Sequence, residues 1–288
     1  MEVFGAWSDD NCFRLSAALS YYTLFSIAPI FVILIATAGY FFGDEAVSGV
    51  IFEKAVAMIG PDAASGLQSM VKNAYVSKPT SLGSIFSIVL LVFSATALVT
   101  SLQGSLNTIW NVRIRADKGL IYFGISRLLA IAMVLVIGFL LIATLVLNAI
   151  WVGLGDFLSR YLADYAFYLI EAGQLLLSFL TTTILFALLF KFLPDAYVRW
   201  SNVWIGAITT SILFVIGRYL ISIYLGNTNI TSLYGAAGSI ILLIVWINYS
   251  AWIFFLGAEV VHVVTLHKGE KIRPSKIAEV YRHVADAE

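Results

Sequence analysis

Residues Ile212 to Gly226 read ILFVIGRYLISIYLG, fourteen uncharged positions around one arginine, Arg218. In lipid, an arginine at that depth must face protein, trapped water or a ligand. Which solvent this stretch was built for decides the fold. Hydrophobic residues make up 60% of the 288 and charged residues 12%, where a soluble domain carries roughly 25% charged residues. The mean hydropathy is +0.93. So few charges cannot cover a water-facing surface, and the chain reads as an integral membrane protein.

A spanning helix takes about 20 mostly apolar residues. Six such runs are legible, at 15–42, 82–110, 128–152, 172–193, 202–226 and 235–262. The first is too long for the apolar core of a signal peptide, and five more follow it. The expected fold is all-α and polytopic. Residues 1–266 make a six-helix transmembrane domain and 267–288 a cytoplasmic tail, in which SKIAEVYRHVADA reads as a short helix or a partly disordered segment. Between the first two runs, Val47, Ile51 and Ala55, then Ala63, Leu67 and Ala74, recur at helical spacing. They predict two short amphipathic helices that lie on the outer surface or cap the bundle.

Orientation follows from where Lys and Arg fall. Twelve of the seventeen lie before the first run, in 111–127, around 191–199 and in the tail; four lie on the other side, and Arg218 is within a span. Both termini are therefore expected in the cytoplasm.

Polar groups inside spans can be placed by depth at about 1.5 Å per residue. The cytoplasmic half collects Arg14, Tyr21 and Tyr22 from the first run, Gln103 and Asn107 from the second, and Glu259 from the sixth. Arg14 and Glu259 fall at similar depth, close enough to pair. Both also lie near helix ends, where snorkelling to the interface is ordinary; the two amides can serve simply as links between helices. The outer half collects Arg218, Asn148, Glu171 and Gln174, with Glu171 the expected partner of Arg218. Trp110, Trp151, Trp200 and Trp204 sit at run ends and read as an interfacial belt. Pro29 interrupts the first run and predicts a kink. Gly235, Gly238 and Gly257 predict close helix packing or hinging.

The balance of 17 Lys+Arg against 17 Asp+Glu argues against a nucleic-acid partner. The lone cysteine, Cys12, reads as a small buried residue. The three histidines, His262, His267 and His283, bring no second set of metal ligands, and HExxH, GxSxG and P-loop patterns are missing from the sequence. No enzyme, metal or cofactor is expected.

Five blocks carry a family likeness: AALSYYTLFSIAPIFVILIATAGYFFG at 17–43, LQGSLNTIWNV at 102–112, LPDAYVRWSNVWIGA at 193–207, GRYLISIYL at 217–225 and YGAAGSIILLIVWINYSAWIFFLGAE at 234–259. In this order they resemble the YihY/BrkB family of bacterial inner-membrane proteins. The resemblance implies a six-helix protein of the inner membrane. Its recurrent positions match here at Tyr21, Tyr22, Pro29, Gln103, Asn107, Pro194, Arg218, Tyr224, Tyr234, Gly235, Gly238 and Glu259. Some members carry a ribonuclease BN label, which this chain's lack of ligand clusters and of a basic surface does not support. Efflux-type transport and virulence are other associations of the family.

The leading expectation is a transporter or exporter of a small solute, ion or lipid, with Arg218 as anion contact or gate and Gln103, Asn107 and Glu259 lining the inner end. An envelope scaffold that uses the outer helices at 44–78 and the basic tail as partner or lipid surfaces is the alternative. A lipid-modifying enzyme built on Arg14 and Glu259 is third. Membrane lipids are the expected partners; the oligomeric state is not legible.

Overall fold

A hydrocarbon layer offers no water to backbone amides, so a spanning segment must satisfy them within itself. The apolar runs do so as helices. The computed structural model describes residues 2–42, 82–161, 166–226 and 236–281. Among them, α1 is Glu2–Asp9, α2 Cys12–Phe42, α3 Leu82–Ile109, α4 Gly119–Tyr161, α5 Ala166–Phe192, α6 Trp200–Gly226 and α7 Ala236–His267. The two amphipathic helices expected within 43–80 lie outside the described residues, as does Gly235. Among the described residues, four helices contain stretches long and apolar enough to cross a membrane: Tyr122–Leu140, Ile170–Phe192, Trp200–Leu220 and Leu243–His267.

Hydroxyl side chains are tolerated in these apolar helices because many bond back into their own backbone. Thr23, Thr100, Thr144, Thr181, Thr183 and Thr210 each donate to the carbonyl four residues earlier. Their outward surface is then mostly methyl and methylene.

The six long helices close a ring. Each of α2 to α6 packs on its successor, and α7 returns to α2 and also touches α3. Neighbours run antiparallel, and the α6–α7 seam shows it residue by residue. A Cβ on Gly206 would run into the Val261 side chain, one on Gly257 into Thr210 Oγ1, and one on Gly217 into the Tyr249 hydroxyl. Positions climb along α6 as they fall along α7. Gly257 therefore lies directly against Thr210 of α6. Beside this seam Phe190 stacks on Phe254 with ring centroids 5.0 Å apart, joining α5 to α7.

The helix ends nearest both described termini meet at one face of the ring, and two strand pairs clasp them. β1 (Val112–Ile114) pairs antiparallel with β4 (Ala278–Val280), and β2 (Ala196–Tyr197) with β3 (Arg273–Pro274). The tail thus crosses the α3–α4 and α5–α6 connections. This corrects the helix expected over 275–287, at least as far as residue 281. The Ser275, Ala278 and Tyr281 amides are taken by the carbonyls of Asp195, Ser275 and Asn111, so no helical ladder forms. Gly269, at φ +67°, ends α7 and turns the chain into the clasp.

Two further expectations change. α4 has 43 residues, about 65 Å of helix, so it overruns 128–152 at both ends and exceeds a hydrocarbon layer of about 30 Å. It takes in Arg127, which the sequence places in a loop. That guanidinium donates to Thr96 Oγ1 and lies 4.3 Å from the Phe93 ring centroid, which lets it sit on a helix face. Trp110 is not interfacial. It is buried, and its indole N–H donates to the Ala258 carbonyl at 3.2 Å.

The seam makes a specific prediction. Gly257→Ala should lower thermal stability in detergent by about 1–3 kcal/mol through overpacking, and adding Thr210→Ala should recover most of it. A double variant no better than the single one would show that Thr210 is not what the new methyl strikes.

Candidate functional site

Among the described residues, the densest buried polar chemistry lies at the clasped face. At its centre is Asp195, in the short α5–α6 connection. Its Oδ2 accepts from Gln103 Nε2 at 3.0 Å and Asn107 Nδ2 at 2.8 Å, and its own amide donates to Asn107 Oδ1 at 2.9 Å. Gln103 and Asn107 are four apart on α3, so one helix face presents both amides. All three residues are buried. The Asp195 carbonyl goes on to accept from the Ser275 amide in the tail at 2.8 Å. One residue therefore joins α3, the α5–α6 connection and the clasp. Burial pushes the Asp195 carboxyl above the ordinary aspartate range, and the Asn107 and Gln103 amides pull part of that shift back.

Asp195 is easily missed in the sequence because LPDA reads as a turn, where aspartate is ordinary. The signal lies in the two amides on one face of α3, which need an acceptor.

A second group surrounds Glu259 on α7, whose side chain is wholly buried. Cys12 Sγ is 3.9 Å from its Oε1, and Asp10 also reaches it. Its Oε2 makes no hydrogen bond and lies 3.7 Å from His262 Nδ1, which makes none either. An Arg14–Glu259 pair does not form. Arg14 follows Cys12 by two residues, about 200° around the helix, so while Cys12 faces Glu259 the Arg14 side chain is exposed. Tyr21 and Tyr22 are exposed as well.

A third group closes the α6–α7 ends. Buried Asn202 donates to Thr265 Oγ1 at 3.1 Å and Glu270 Oε2 at 2.9 Å, and accepts from Lys268 Nζ at 2.8 Å. Glu270 also takes Arg199.

The outer set is not drawn together among the described residues. Arg218, Glu171 and Gln174 all have exposed side chains, and Arg218 forms no ion pair with Glu171. Asn148 lies on α4, Pro29 inside α2 and Gly238 in the first turn of α7. No group of three or more His, Cys, Asp or Glu side chains among the described residues is arranged to hold a metal ion.

The family model for virulence factor BrkB matches residues 3–281. The chain belongs to the BrkB family. It is 28% identical over 258 residues to a UPF0761 membrane protein of Verminephrobacter eiseniae (strain EF01-2), covering 88% of this chain and 58% of that protein. With a UPF0761 membrane protein of Psychrobacter sp. (strain PRwf-1) it shares 26% over 276 residues, 94% of this chain and 49% of the relative. With one of Tolumonas auensis it shares 30% over 192 residues, 66% and 58% of the two lengths. The chain spans about half the length of the curated relatives it matches. No solved structure matches it. Membership makes this a membrane protein of a bacterial family, in agreement with the likeness carried by the five sequence blocks.

For this BrkB-family chain the node around Asp195 predicts two outcomes. Asp195→Ala leaves two buried amides without their acceptor and should cost about 2–4 kcal/mol. Asp195→Asn retains an acceptor and should cost less. The raised carboxyl also gives a pH signature. The folded state holds this proton more tightly than the unfolded chain does. Its contribution is therefore fully present below about pH 3.9, the ordinary aspartate value, and is lost as pH rises through the folded value. Thermal melts across pH should show that fall in the wild type and a flatter curve in Asp195→Asn. Parallel curves would place the titration elsewhere.

Proposed function

We propose that this protein is a multi-pass transporter or exporter in the bacterial inner membrane. In this reading α2 to α7 are six spans, both termini are cytoplasmic, and the clasped face is the closed cytoplasmic end of the bundle. The cargo class is a small solute, ion or lipid. The observation that carries the reading is Glu259, a wholly buried carboxylate in the last turns of a candidate span, with one oxygen unbonded 3.7 Å from an equally unbonded His262 nitrogen. Ionisable groups are kept at such places chiefly where ions, protons or substrates pass. Asp195 with its two amides would be the latch that opens this end, because breaking it frees α3 from the α5–α6 connection.

The scaffold alternative gives the basic tail to outside partners. Residues 273–274 and 278–280 are instead paired with the chain's own loops, which favours a bundle working by itself. The enzymatic alternative pairs Glu259 with Arg14, and here Arg14 is exposed while Glu259 is buried, which favours the transport reading.

Ser211 offers a probe. It is wholly buried on α6 and its hydroxyl has no partner, about 16 Å along the helix from the clasped end. In a Cys12→Ala background, which removes the one native thiol, Ser211→Cys should react with a membrane-impermeant maleimide from the outer side. From the clasped side it should react only once Asp195→Ala is added. A folded protein whose cysteine stays unlabelled from both sides, in both backgrounds, would sink the alternating-access reading.

A further inference from the structure

A cavity lies at the clasped face, away from Asp195 and beside the Asn202 group. Its volume is about 910 Å³, and it is lined by Lys191 and Trp200 at the facing ends of α5 and α6, by Thr265 near the end of α7, and by the clasp residues Arg199, Lys271 and Arg273. Four cations face one carboxylate, Glu270. That carboxylate is already used, by Arg199 and by Asn202. Lys191 donates to the Val198 carbonyl and sits 5.5 Å from the Trp200 ring centroid. Lys271 and Arg273 are exposed and form no ion pair among the described residues. The charge in this cavity is uncompensated by the described protein groups.

Depth then says what would compensate it. Candidate spans end at Phe192 and His267 and begin at Trp200, so the cavity lies where three apolar lengths run out, in the headgroup layer. From its mouth an exposed apolar stripe follows α6 through Trp200, Trp204, Ile208 and Ile212, spaced four apart on one helix face. The Phe192, Trp200 and Trp204 rings lie in sequence at the top of that stripe, with centroids 5.9 and 6.4 Å apart. A basic cup joined to an aromatic and aliphatic track matches a molecule with an anionic head and apolar tails.

We propose that this cavity binds the phosphodiester headgroup of an anionic phospholipid, with Lys271 and Arg273 as its charge contacts and the α6 stripe as the seat of an acyl chain. The site goes beyond the transport reading and shares with it only the assignment of α5, α6 and α7 as spans. A bound lipid would link the α5 and α6 ends to the tail, and so brace the clasp from the membrane side. A soluble phosphate ion has the same anionic chemistry but no use for the stripe.

The test is native mass spectrometry of the full chain, released from nanodiscs of equal phosphatidylglycerol and phosphatidylcholine. The wild type should retain phosphatidylglycerol over phosphatidylcholine, and Lys271→Gln with Arg273→Gln should reduce that preference about tenfold. Arg113→Gln removes a cation at the same face but outside the cavity, one already paired with Glu279, and should leave the preference unchanged. Equal retention of both lipids by the wild type would overturn the proposal. So would an undiminished preference in the folded double variant. Release of phosphatidylglycerol by millimolar inorganic phosphate, with phosphate retained in its place, would also overturn it and assign the cup to a soluble anion. None of these outcomes depends on whether Ser211→Cys is labelled, so this site and the transport reading stand or fall separately.

Discussion

A carboxylate with no water around it must find donors, and the donors it finds fix its neighbourhood. Asp195 takes the Gln103 and Asn107 amides on its Oδ2, and its carbonyl accepts from Ser275. Burial of these groups makes the arrangement costly to break, because each orphaned partner loses roughly 1–3 kcal/mol. In a bundle whose helices gain little from leaving lipid, such polar links and close small-residue seams decide how the pieces register. Here they divide the work. Glycine contacts set α6 against α7 along their length, while Asp195 sets the ends.

The clasp is the consequence at the next level. With α3 and the α5–α6 connection held together by Asp195, their emerging backbones offer unpaired edges at 112–114 and 196–197. The tail fills both as it passes. Asn202 does for α6 and α7 what Asp195 does for α3, using Thr265, Lys268 and Glu270. The face that results has the buried carboxylates of Asp195 and Glu259 inside and the exposed cations Lys271 and Arg273 outside.

The helices are legible in the sequence because apolar length is a strong signal, and each of the six runs overlaps a helix among the described residues. The inner polar set is legible in part. Gln103, Asn107 and Glu259 share one level along the helices, which depth arithmetic can give, and all three are buried, which it cannot. Their partners are not legible, because depth says nothing about rotation around a helix axis. That is why depth alone matches Arg14 to Glu259 although Cys12 faces it, and why it groups the exposed Tyr21 and Tyr22 with the buried amides. Arg218 shows the same limit, since its level can be read but its exposed side chain cannot. Asp195 and the clasp are hidden for another reason. A turn sequence and a polar tail gain their structure only from segments far along the chain, and no local pattern announces that.

The clasped face depends on Asp195 holding three distant segments as one unit. Hydrogen–deuterium exchange on the full chain, wild type beside Asp195→Ala, tests this directly. If the account holds, amides in 105–111, 193–198 and 273–281 lose protection together in the variant, while the α6–α7 seam keeps its own. A loss confined to 193–198, with the tail and the end of α3 still protected, would contradict it and leave Asp195 as a local turn residue.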